Sequence, residues 1–137
     1  MKKVILSGLL AGLVLFLASF VVSGVFKIIF PAISSEYQNL NLFRAYSDPV
    51  MLLFFLHPFL VAFLLAWFWQ KTKNIFGENI MGGVKFGLAY WAVATIPGMF
   101  ATYTSIPYSL EIVLMWLVGG LVEAILEGII FSKLLKT

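Results

Sequence analysis

An all-α polytopic membrane protein, an antiparallel bundle of four transmembrane helices with a short external interfacial helix, is the fold class predicted by three observations. Of the 137 residues, 62% are hydrophobic and only 11% charged, against about 45–50% and about 25% in a soluble domain. The apolar residues fall into four long runs, and a crossing needs about 20 of them to match roughly 30 Å of hydrocarbon at 1.5 Å per residue. The nine basic residues gather at the ends of those runs, so the net charge of +3 reads as membrane topology and not as a nucleic-acid surface. Four crossings use most of the chain, which leaves residues 1–137 as a single transmembrane domain.

The first run, about residues 4–29, follows Met1-Lys2-Lys3. It outlasts the core of a signal peptide, and Gly8, Gly12, Ser19 and Ser23 form a small-residue stripe, so it is expected to be a retained helix. The second run, about residues 50–69, follows Ser47-Asp48-Pro49, where a side-chain oxygen caps free amides and Pro suits the first turn. Pro58 near its middle cannot donate to the carbonyl of Phe54, so a kink is expected, with His57 beside the opening. The third, about residues 81–102, carries Gly83, Gly87, Ala94 and Gly98 as a face for close helix approach, with a bend at Pro97-Gly98. The fourth, about residues 109–135, holds Gly119, Gly120 and Gly128 and follows a turn short enough to make it an antiparallel neighbour of the third.

Orientation follows from the bases. With the N-terminus cytoplasmic, Lys2, Lys3, Lys71, Lys73, Lys85, Lys133 and Lys136 fall inside and only Lys27 and Arg44 outside. Both termini are therefore expected in the cytoplasm of a cell whose inner or plasma membrane holds the protein. The external loop, residues 31–48, contains Ser35-x-x-Gln38, a capping-box spacing ahead of a short helix, and aromatic or apolar residues at 37, 40, 43 and 46 suited to the headgroup region or to a cap on the bundle.

Polar groups within the runs are the candidate site. Glu123 and Glu127 stand one turn apart, about 40° around the helix axis, so they can share a proton, a cation or a basic partner. Counted from the inner helix ends, Glu123 and His57 both lie about 18 Å deep, and Tyr90 and Thr95 fall within roughly one turn of that level. Lys85 sits in the same inner half as Glu127, and a pair between them is expected. An ionised carboxylate at the bilayer centre costs roughly 2.5–3.5 kcal/mol on insertion scales, so Glu123 is expected neutral. Two readings follow: a hydrogen-bonded cluster that holds helices together, or a site for a proton, cation or basic ligand. One histidine and two carboxylates are too sparse for a metal centre, and no cofactor is implied. The absence of cysteine closes thiol chemistry. No nucleophile stands beside an evident base, so an enzyme is not expected.

The layout of KKVILSGLLAGLVLFLASFVVSG, the kinked second helix, GGVKFGLAYW and a glycine-rich fourth helix ending in SKLLK resembles small uncharacterised prokaryotic four-helix membrane proteins. That resemblance implies a fold and brings no catalytic residues. Small multidrug transporters are similar in size, but their membrane glutamate is in the first helix, where this chain has none. Two functions are therefore expected from the residues: a helix-packing or accessory subunit that associates through Gly8, Gly12, Gly83, Gly87, Gly98, Gly119 and Gly120 with copies of itself or a larger membrane complex, or a proton- or cation-coupled transporter or channel using Glu123 with His57 and Glu127.

Overall fold

A computed structural model describes residues 2–136 and is all-helical, with no strand among them. Four helical rods are long and apolar enough to cross a membrane: Lys2–Ile29, Pro49–Phe76, Ile80–Ser105 and Leu110–Leu134. The first is helix α1 and the last is α6; between them lie a short α2 (Ala32–Glu36), α3 (His57–Phe76), α4 (Ile80–Tyr90) and α5 (Ile96–Ser105). Their outer surfaces are apolar, with Ile5, Leu13, Val21, Leu64, Val93 and Phe100 all exposed. A surface of that kind is stable against lipid and would aggregate in water.

The second rod begins where the sequence places it. Asp48 accepts from the Val50 N–H at 2.9 Å, and this bond, with the Arg44 guanidinium 2.9 Å away, holds its carboxyl below the ordinary range. From Pro49 to Leu56 the rod is a 3₁₀ helix, and only then does α3 begin. Pro58 is the reason: it leaves the Phe54 carbonyl without its α-helical donor, and the tighter winding lets the His57 backbone N–H satisfy it instead. The expected kink is thus a change of helix type. The third rod meets Pro97 differently. Residues Trp91–Thr95 form a π turn in which the Ile96 N–H reaches back five residues to the Trp91 carbonyl, widening the helix just ahead of the proline. The Trp91 indole N–H donates to the Leu117 carbonyl at 2.9 Å and ties this turn to α6.

The loop between α3 and α4 is only residues 77–79, much shorter than the expected 70–80. Gly77 ends α3 at a φ of 94°, and Asn79 caps α4 by accepting from the Gly82 N–H at 2.8 Å. Residues 70–76 continue as helix with Lys73 only 8% exposed, its ammonium 3.3 Å from both the Leu135 carbonyl and Glu78. In the other long loop, Ser35 lies inside α2 and donates to the Ala32 carbonyl, so it is not the cap its spacing with Gln38 suggested.

Close packing joins α4 to α6, α1 to α3, and α1 to α6. At the α4–α6 contact the backbones touch: a methyl group on Gly83 would strike the Gly128 carbonyl, one on Gly128 the Gly83 carbonyl, and one on Gly87 the Ala124 carbonyl. Gly8 and Gly12 of α1 seat the rings of Phe63 and Phe59, and Gly120 seats Thr95. Gly119 has ordinary contact with Val22. Gly98 faces open space and packs nothing within the chain, because the π turn shifts α5 out of the register that Gly83 and Gly87 set.

Two cores result. One closes the end that carries the chain termini, with Ala11, Ala62, Trp69, Phe86, Phe131 and Leu135 fully buried. The other closes the loop end with Ile33, Ile112 and Met115 beneath Phe26, Phe43 and Trp116. Neither the 3₁₀ segment, the π turn nor α5 contributes a buried residue to either.

Candidate functional site

Between the two cores lies a cavity of about 470 Å³. Its lining joins α1 (Ser19, Ser23), the second rod (Phe55, His57), the third rod (Tyr90, Thr95) and α6 (Glu123, Glu127). Five of the six polar candidates named from the sequence, all but Lys85, therefore meet at one space. The position of α6 explains the carboxylates: its contact with α4 at Ala124 and Gly128 fixes the helix phase, and Glu123 and Glu127, each one residue earlier, face the cavity.

Glu123 is held by α1. Ser19 Oγ stands 2.6 Å from Glu123 Oε1 and 2.9 Å from the Leu15 carbonyl. A hydroxyl carries one hydrogen and accepts through its lone pairs, so this arrangement serves two states. Ser19 donates to an ionised Glu123; or a neutral Glu123 donates to Ser19, which donates to Leu15. No heavy atom has to move between them.

Glu127 is different. It is 1% exposed, and its Oε1 has no hydrogen-bond partner. The only other buried side-chain polar atom in that condition among the described residues is Trp69 Nε1, which lies in the core at the terminal end and not on the cavity. An orphaned buried acceptor costs about 1–3 kcal/mol, and more if charged, and nothing among the described residues offsets that cost at Glu127 Oε1.

The Lys85–Glu127 pair does not form. Lys85 is exposed, no ion pair joins it to Glu127, and it does not line the cavity. Helix phase is the cause: Gly83 and Gly87 bury one face of α4 against α6, and Lys85, two residues after Gly83, points about 200° away from it. His57 is on the rim, exposed, and its ring has no hydrogen bond within the described residues. The Tyr90 hydroxyl likewise has none, whereas Thr95 is seated on Gly120.

The loop end of the cavity is capped by aromatic rings, two of which, Tyr37 and Trp116, line it. Trp116 Nε1 donates to the Tyr37 hydroxyl at 2.8 Å, Phe43 packs on Tyr37 at 4.7 Å and stacks on Tyr108 at 5.1 Å, and Lys27 lies 5.3 Å above the Tyr37 ring. Burial pushes the Tyr37 phenol up to about 12, partly offset by the Trp116 bond. The Glu36 carboxylate accepts from the Ser109 N–H at 2.8 Å and fastens α2 to the start of α6.

The titratable lining groups are therefore Tyr37, His57, Tyr90, Glu123 and Glu127, and no lysine or arginine is among them. Such a space is suited to a positive charge and to a proton that can take its place. Comparison of the chain with known protein families, curated proteins and solved structures finds no match. The cavity itself carries the functional reading.

Proposed function

We propose that this is a multi-pass membrane protein with both termini in the cytoplasm, which carries a cation across the bilayer in exchange for a proton at Glu123 and Glu127. The observation that carries the reading is the unpartnered, buried Glu127 on a cavity that has a second carboxyl group and no lysine or arginine. Buried ionisable groups among apolar helices are expensive, so one left unsatisfied by its own chain points to a ligand. Ser19 supports the exchange, because it hydrogen-bonds Glu123 with or without a proton.

The bias of basic residues toward the end that holds the termini supports the orientation. The end closed by Trp69 and Phe131 is then cytoplasmic, and the cavity lies between that core and the external cap. The accessory-subunit reading drew on the glycine stripes. Gly8, Gly12, Gly83 and Gly87 are occupied by partners within the chain, so they do not call for another protein.

Vesicles containing the purified protein and an internal pH dye test the proposal. Outward gradients of sodium, potassium or a quaternary ammonium ion are imposed in turn. At least one gradient drives proton uptake in wild type, and Glu123→Gln and Glu127→Gln each abolish it. Uptake equal to that of protein-free vesicles for every cation, or unchanged in both variants, overturns the carrier reading.

A further inference from the structure

Resting on that carrier reading, we infer that the cation is an organic monocation with an apolar body, and that it enters sideways from the lipid through the gap between the 3₁₀ segment and α5. Four observations converge on this ligand. The first is size, since about 470 Å³ is the scale of a small-molecule site and far larger than a bare ion needs. The second is donor chemistry. Calcium and magnesium demand about six or more oxygens and zinc about four ligands at close range, and no group of three His, Asp or Glu among the described residues is placed to hold a metal ion.

The third is the wall. Phe16, Phe20, Phe55 and Trp116 face the same space as the two carboxyl groups, and aromatic faces attract an organic cation whose apolar groups they also cover. The lining has no lysine or arginine, so no permanent positive charge in it balances an anionic group. A zwitterion such as a phosphocholine headgroup is therefore disfavoured, and a net positive charge is selected.

The fourth is the route. The Tyr37–Trp116 hydrogen bond and the rings around it cap the loop end, and the Trp69 core closes the other. The side remains. Phe54 and Phe55 of the 3₁₀ segment and Ala94 and Met99 of the third rod line the same cavity, yet no extensive contact joins the two segments and neither has a buried residue. The 3₁₀ segment packs on α3, and it touches α1 through Phe55, which meets Phe16 edge to face at 6.0 Å.

The test is equilibrium dialysis of tetraphenylphosphonium against the full chain in lipid nanodiscs. Saturable binding at one site is expected, weakened by about thirtyfold or more in Glu127→Gln, as when one partner of a desolvated charge pair is removed. Sodium, potassium and a short-chain phosphocholine should not displace it. In this cysteine-free chain, a bulky maleimide on Phe55→Cys should slow association by about tenfold. If sodium or potassium drives proton exchange while tetraphenylphosphonium does not bind, the ligand class is wrong and the carrier reading stands. Displacement by the phosphocholine overturns the selection of net charge, and unchanged association with the blocked gap overturns the route. Absence of both binding and exchange in wild type removes the carrier reading itself.

Discussion

Replacing Gly83 with alanine tests the contact that sets the phase of α6 and so aims both glutamates. The added methyl would strike the Gly128 carbonyl oxygen, with the carbonyl carbon at 2.6 Å and Ser132 Cβ at 3.0 Å. Two of these atoms are backbone and cannot rotate away, so α4 and α6 must part by roughly 1 Å, and at that gap a quarter to a half of the dispersion energy of each contact is forfeited. Overpacking of a tight contact costs about 1–3 kcal/mol, and about 2 kcal/mol is expected here. Gly128→Ala should cost a similar amount by the reciprocal clash with the Gly83 carbonyl. The double variant should cost less than the sum of the two, because helices already parted by one methyl admit the second more easily. Gly24→Ala and Gly98→Ala meet nothing within 4 Å and serve as controls expected within about 0.5 kcal/mol of wild type. Reversible unfolding in mixed micelles, followed by circular dichroism, reads all five variants against wild type. Equal stability of Gly83→Ala and Gly98→Ala would refute the backbone contact.

Ser19→Ala removes the hydrogen-bond partner of Glu123 Oε1 and should destabilise the protein by about 0.6 kcal/mol, at most about 1.7, in the same unfolding assay; no change would mean the bond is not formed in the membrane. Tyr37 supplies a pH dependence. Its folded phenol holds its proton to about 12 while the unfolded one releases it near 10.0, so between these values the folded state binds more protons and stability falls as pH rises. Tyr37→Phe should flatten the loss of stability above pH 10.0, and an unchanged slope would show the phenol is not buried.

The four rods and the depth of their polar residues were legible in the sequence because both follow from hydropathy and a rise of 1.5 Å per residue. Counting depth also had the means to find Ser19, which lies about 22 Å along α1 from Val4, within one turn of Glu123. Direction around a helix was harder. The expected Lys85–Glu127 pair compared depths alone, and the glycines that bury the opposite face of α4 already place Lys85 on the outside. Helical spacing alone places Gly98 on the glycine face across Pro97, yet the π turn ahead of this proline breaks the register. The 3₁₀ segment has a continuous apolar sequence with no periodicity to reveal its winding; the signal was the missing donor at Pro58. The aromatic cap joins Tyr37 and Phe43 to Tyr108 and Trp116 across more than 60 residues, a pairing that no local pattern encodes.

A lipid-soluble carbodiimide adds to a protonated carboxyl group and leaves a stable N-acylurea, so peptide mass spectrometry after treatment in membranes reports which glutamates carry a proton and can be reached from lipid. The proposal predicts label on Glu123 or Glu127, slowed when the transported cation is present. Label confined to Glu36 and Glu111 near the helix ends, with Glu123 and Glu127 untouched, would contradict it.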